Sequence, residues 1–102
     1  MTSQGTARGR FGRAIQRRHV LAAEMAAREM GQLSLIDALA LVACHARSGS
    51  PKFDRAAVRW LERLGAERDA SLRDTRLAAA ALEALQTKHH DLAEKMLLRS
   101  LS

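Results

Sequence analysis

Apolar residues recur at helical spacing along most of the chain, and short polar runs separate the repeats. This pattern predicts five helices, at about 13–30, 35–46, 51–68, 72–86 and 91–101, the third with Ser50 as its cap. The second of them has only Asp37 and His45 as polar residues, so we expect it to be buried on nearly all sides. Its expected core residues are Leu35, Ile36, Leu39, Val42 and Ala43.

The third predicted helix has two contrasting faces. Its apolar face consists of Phe53, Ala57, Trp60, Leu61 and Leu64. Its charged face consists of Lys52, Arg55, Arg59, Glu62 and Arg63. We therefore expect one face to pack and the other to meet water. The fifth helix has a similar apolar set in Leu92, Met96, Leu97 and Leu101.

Two serines mark helix starts, and each is followed three residues later by an aspartate that suits the first helical turn. Ser34 with Asp37 and Ser71 with Asp74 belong to an echo with a period of 37 residues. Such a period is typical of stacked helical hairpins, although two independent hairpins with the same caps would also produce it. Both interpretations predict antiparallel hairpins at 34–68 and 71–101.

Length and composition agree with this architecture. The chain has 102 residues, of which 47% are hydrophobic and only 3% aromatic, and alanine and leucine dominate. We therefore predict an all-α fold in a single domain at 13–102. Its expected form is a five-helix array, in which a leading helix precedes two stacked hairpins.

The net charge of +6 is concentrated at the N-terminus. Residues 1–18 contain five arginines and no acid, whereas the remainder holds 12 basic and 11 acidic side chains. The segment 1–12 is also rich in Gly, Ser and Thr, so we expect a flexible basic arm there.

Basic residues in two places suggest nucleic acid as an alternative partner. Phosphates would meet the N-terminal arginines and the charged face of the third helix. The candidate residues are Arg8, Arg10, Arg13, Arg17, Arg18, Lys52, Arg55, Arg59 and Arg63. An ordinary solvated helix face would explain the second group equally well.

Catalytic and metal-binding motifs are not found in the sequence. Cys44 and His45 are adjacent, so on a helix they point about 100° apart and cannot share an activating hydrogen bond. The four histidines lack the paired spacing of zinc ligands. Capping explains the aspartates, and there is no phosphate-binding glycine loop. We expect a protein that is not an enzyme and has no cofactor or metal.

The remaining interpretation is a helical interaction module, which we prefer. Stacked hairpins leave grooves that accept a partner helix or a second copy of the chain. The alanines from Ala78 to Ala81 are the expected contact strip, because small side chains let another backbone approach. We therefore expect a protein partner or a homo-oligomer.

The expected location is the cytoplasm, without membrane contact. A single cysteine fits a reducing compartment, and no apolar run precedes Val20. The longest apolar stretches, 38–44 and 77–82, are too short to cross a bilayer.

Three segments carry a resemblance to known sequences: 17–29, 34–41 and 51–61, which include Arg17-Arg18-His19-Val20, Ser34-Leu35-Ile36-Asp37 and Pro51-Lys52-Phe53-Asp54. Together they resemble a group of short, Arg- and Ala-rich helical proteins of high-GC actinobacteria. That group has no established activity, so the resemblance implies a helical fold and assigns no functional residue.

Overall fold

The computed structural model describes residues 5–102. This range contains six α-helices and no strand. They are Ala7–Gln16 (α1), Val20–Met30 (α2), Leu35–Arg47 (α3), Phe53–Arg68 (α4), Leu72–Ala84 (α5) and His90–Ser100 (α6). The helices pack as three hairpins, α1–α2, α3–α4 and α5–α6. Helix α2 also packs on α3, and α4 on α5, in a body of 47 × 28 × 22 Å. The all-α prediction is confirmed.

The N-terminal region differs from the sequence-based prediction. One leading helix at 13–30 is wrong, because α1 ends at Gln16 and α2 begins at Val20. Arg18 takes a left-handed conformation with φ 55°, and His19 then caps α2 by accepting the Ala22 N–H at Nδ1, 3.2 Å away. The reversal folds α1 back on α2 and produces six helices instead of five.

The predicted flexible arm at 1–12 is also wrong where the structure describes it, because residues 7–12 belong to α1. Burial of Phe11, which is 4% exposed, offsets the entropy of ordering this segment. Phe11 packs in a small cluster with Ala14, Ala23, Ala26 and Ala27. Residues 1–4 of the predicted arm lie outside the described residues.

The larger core joins α3, α4, α5 and α6. At its centre Trp60 and Leu39 are almost completely buried, as the sequence predicts. The other members are Leu35, Val42, Ala43, Phe53, Ala57, Leu64, Ala78, Leu82, Leu85, Ala93, Leu97 and Leu101. Three predicted apolar positions are instead exposed, namely Ile36, Leu92 and Met96. Each lies on the outer side of a helix whose inner side already fills the core.

The serine caps form as predicted. Ser34 Oγ accepts the Asp37 N–H at 3.1 Å, and Ser71 Oγ accepts the Asp74 N–H at 3.0 Å. The predicted start of α4 at Pro51 with Ser50 as its cap is wrong, because the helix begins at Phe53 and Lys52 precedes it without a side-chain cap. Helices α3, α4 and α5 contribute walls to two of the three grooves described next.

Candidate functional site

A groove of about 990 Å³ lies between the end of α2, the inner turns of α3 and the first three turns of α4. All four basic residues predicted on the charged face of the third helix line it. They are Lys52, Arg55, Arg59 and Arg63. The structure thus brings this part of the candidate set into one concave surface, which we call the basic groove.

Two of the four basic side chains are held by partners within the protein. Lys52 Nζ lies 3.2 Å from Glu24 Oε1. Arg63 donates to the Leu33 carbonyl oxygen and to Glu67 Oε2, both at 2.8 Å. Within residues 5–102 no carboxylate pairs with Arg55 or Arg59, which stand one helical turn apart on α4. The guanidinium groups of this pair are the charges available to a ligand.

A buried histidine lies in the wall of the basic groove. His45 is 2% exposed, and its Nδ1 lies 2.9 Å from Ser50 Oγ while its Nε2 lies 3.5 Å from Glu24 Oε2. Burial lowers the pKa of His45; the Glu24 carboxylate raises it and the Lys52 ammonium lowers it, both by smaller amounts. Burial outweighs the carboxylate, so the ring is neutral at neutral pH.

Ser50, His45 and Glu24 lie next to one another in that order, yet each has a structural role. Ser50 Oγ accepts the Lys52 N–H at 3.1 Å and closes the turn between α3 and α4. Glu24 anchors α2 to that turn through Lys52 and His45. Sequence reasoning missed this cluster, since Glu24 precedes His45 by 21 residues and Ser50 by 26, and no spacing rule connects residues so far apart.

The N-terminal arginines do not join the basic groove. Arg8 pairs with Asp37 at 2.6 Å and Arg10 with Glu29 at 2.5 Å, while Arg18 occupies the left-handed turn. Arg10, Arg13 and Arg17 line a different groove of about 410 Å³ between α1 and α2. The structure therefore places seven of the nine candidate nucleic-acid residues on two separate surfaces, whereas Arg8 and Arg18 line neither groove.

The two grooves lie on opposite flanks of α2. Glu24 and Gly31, two turns apart, line the basic groove. Met25 and Glu29 line the α1–α2 groove. Successive residues of a helix turn by about 100°, so these sets face in different directions and the exposed ridge of α2 separates them.

A third groove, of about 380 Å³, lies along α5 and α6 near the end of α4. The predicted contact residues Ala78 and Ala81 line it, although Ala78 is 7% exposed and also belongs to the core. Leu77 and Met96 rise on either side and are 59% and 56% exposed. Leu92, one turn before Met96 on α6, is 60% exposed. We call this surface the apolar groove.

The lone cysteine lies away from these grooves. Cys44 is 3% exposed, and burial raises the pKa of its thiol. A hydrogen bond with Ser48 and the charges of Arg18 and Arg47 lower this pKa by smaller amounts. Within residues 5–102 no three histidine, cysteine or acidic side chains gather as a metal site would require. In the same range no helix combines the length and apolarity needed to span a membrane.

Comparison with known proteins assigns no function to the chain, so a proposal depends on the geometry of the three grooves. No protein-family model, no curated protein and no solved structure matches the chain.

Proposed function

We propose that the protein is a non-catalytic binding module of the cytoplasm that associates with a second copy of itself through the apolar groove. The observation that carries this proposal is the exposure of Leu77 and Met96 beside the alanine floor, with the exposed Leu92 one turn before Met96 on α6. Large apolar side chains gathered on one surface are typical of protein contacts, whereas scattered ones are ordinary. The alanine floor allows close approach of a partner helix.

The charges at the edge of the apolar groove favour a copy of this chain over a strongly charged partner. Arg68 and Asp74 both line it, so the edge carries both signs. A twofold axis brings the same surface of each copy together and places opposite charges within reach. The commonest closed assembly is a dimer of this kind.

Sedimentation equilibrium over a range of protein concentrations tests the proposal. We expect a reversible dimer for the native chain and a monomer for the double variant Leu77→Glu/Met96→Glu. Val58→Glu is the matched control, because Val58 is 57% exposed on α4 and does not line the apolar groove. A native chain that stays monomeric at all concentrations, or a dimer unaffected by the double variant, contradicts the proposal.

A second candidate function is nucleic-acid binding in the basic groove. It is supported by Arg55 and Arg59, which lack carboxylate partners within the described residues and lie beside the basic side chains of Lys52 and Arg63. The wall contributes no exposed aromatic ring, because Trp60 is 2% exposed. Contacts to phosphates rather than stacking on bases would therefore provide the binding energy.

Salt dependence of oligonucleotide binding, followed by fluorescence anisotropy, tests this second function. We expect Arg55→Gln/Arg59→Gln to weaken binding and to reduce the slope of log affinity against log salt by about 2. Arg73→Gln/Arg76→Gln removes the same charge from exposed positions of α5 and serves as the control. Equal slopes for the two double variants, or no measurable binding by the native chain, contradict the candidate.

A further inference from the structure

The groove between α1 and α2 combines an alanine floor, an exposed apolar wall and two arginines that no carboxylate of residues 5–102 neutralises, and neither of the other two grooves has all three. Its floor is made by Ala14, Ala22 and Ala26, and Met25 forms a wall that is 55% exposed. Leu21, one turn before Met25 on α2, is 63% exposed and extends the apolar edge. The surface thus has small side chains at its base and apolar side chains along one side.

Its other side is basic. Arg13 and Arg17 line the groove from α1 and stand one helical turn apart. Glu29 is the acid that lines the groove, and Arg10 already binds it at 2.5 Å. No carboxylate within the described residues pairs with Arg13 or Arg17. The groove therefore has two positive charges that no carboxylate of residues 5–102 neutralises.

We propose that the α1–α2 groove is a docking site for an acidic amphipathic helix of a protein partner. The alanine floor admits a helix backbone, and apolar side chains of that helix would cover Met25 and Leu21. Carboxylates spaced one turn apart along its edge would face Arg13 and Arg17 at the matching interval. Charge and shape thus select the same kind of occupant.

A nucleic acid fits this groove less well. Phosphates would engage the arginines but would leave Met25 and the alanine floor against polar backbone. Among the described residues no Phe, Tyr or Trp lines the groove, and the His19 ring that does line it is occupied in capping α2 through Nδ1, so unpaired bases have no large aromatic platform for stacking. An acidic helix makes use of both sides of the groove. The site is also separate from the apolar groove on α5 and α6, so either proposal can fail without the other.

Selection from a displayed library tests the proposal with a defined probe. The library presents 16-residue helices with a leucine stripe and randomised flanking positions, and the native chain is the bait. We expect the enriched sequences to carry Glu or Asp in pairs one turn apart. Synthetic peptides with these sequences should bind Arg13→Gln/Arg17→Gln about tenfold more weakly than the native chain. Arg73→Gln/Arg76→Gln should bind them as the native chain does.

Charge reversal excludes a purely structural effect of the substitutions. Peptides in which the enriched acids are changed to Lys should bind Arg13→Glu/Arg17→Glu better than they bind the native chain. Enrichment of neutral or basic sequences overturns the proposal, and so does undiminished binding to Arg13→Gln/Arg17→Gln. Tighter binding to a single-stranded oligonucleotide or to vesicles of anionic lipid, lost in the same glutamine variant, also overturns it by assigning the arginines to another class of ligand.

Discussion

The indole Nε1 of Trp60 donates a hydrogen bond to the carbonyl oxygen of Leu35, 2.9 Å away. Leu35 opens α3 and Trp60 lies in the middle of α4, so this bond joins the start of one helix to the body of the next. Both residues are buried in the larger core. The bond also holds α3 and α4 together, and both helices form walls of the basic groove.

Trp60→Phe should therefore reduce the free energy of unfolding. Phenylalanine keeps an aromatic ring in the core but removes the indole N–H that donates to the Leu35 carbonyl, which costs about 0.5–1.5 kcal/mol. Urea unfolding followed by far-UV circular dichroism measures the change without relying on tryptophan fluorescence. Val58→Ala, an exposed position on the same helix, should have little effect. A variant as stable as the native chain would mean that the bond contributes little.

Phe11→Ala should release α1 while leaving the larger core folded. Phe11 is the one large side chain at the centre of the α1–α2 cluster, and its removal costs about 3–5 kcal/mol of packing. Hydrogen exchange should show lost protection in α1 and retained protection in α3 and α4. Gly12→Ala is the control, because no atom lies within 4 Å of the added methyl group, and it should stabilise α1 by about 0.5–1 kcal/mol. Uniform loss of protection throughout the chain would contradict separate stability of the two clusters.

His45 should make the fold less stable as the pH falls. Its folded pKa lies below the ordinary value of 6.5 because burial disfavours the imidazolium. The unfolded chain then binds the proton more readily, so this contribution to stability is complete above pH 6.5 and is lost as the pH falls below it. Thermal unfolding between pH 5 and pH 8 should show a smaller pH dependence for His45→Gln than for the native chain. His89→Gln, at an exposed position, should retain the native pH dependence.

Cys44 should react slowly with a thiol reagent in the folded protein. Its side chain is 3% exposed and burial raises the pKa of the thiol, so both access and thiolate fraction are low. We expect native labelling at least about a hundredfold slower than labelling in urea, as a required local opening of about 3 kcal/mol would produce. Equal rates in the two conditions would show that the thiol is accessible and reactive.

Local chemistry in the sequence was sufficient for the helices from α3 onward. Ser34 and Ser71 mark the starts of two helices. At a helix start, the serine hydroxyl accepts a hydrogen bond from the backbone N–H three residues later, which has no partner within the helix. The spacing of Phe53, Trp60 and Leu64 likewise identifies the core face of α4, because residues three, four or seven positions apart lie on the same side of a helix.

Packing decided the rest. The sequence predicts an arm where α1 forms, because three of the four alanines that bury Phe11 lie beyond the Arg18 turn, where no local pattern reveals them. The candidate interface alanines could be named, but not the exposed side chains of Leu77 and Met96 beside them, since exposure depends on what the neighbouring helices leave uncovered.

By itself, then, the sequence determined an all-α chain, the starts of α3 and α5 and the charged face of α4, because these follow from interactions between residues a few positions apart. Only the tertiary structure decided that Lys52, Arg55, Arg59 and Arg63 share one groove while Arg13 and Arg17 line another. It also placed Glu24 beside His45 and Lys52. Such relationships depend on how helices distant in sequence pack together, which no local pattern specifies.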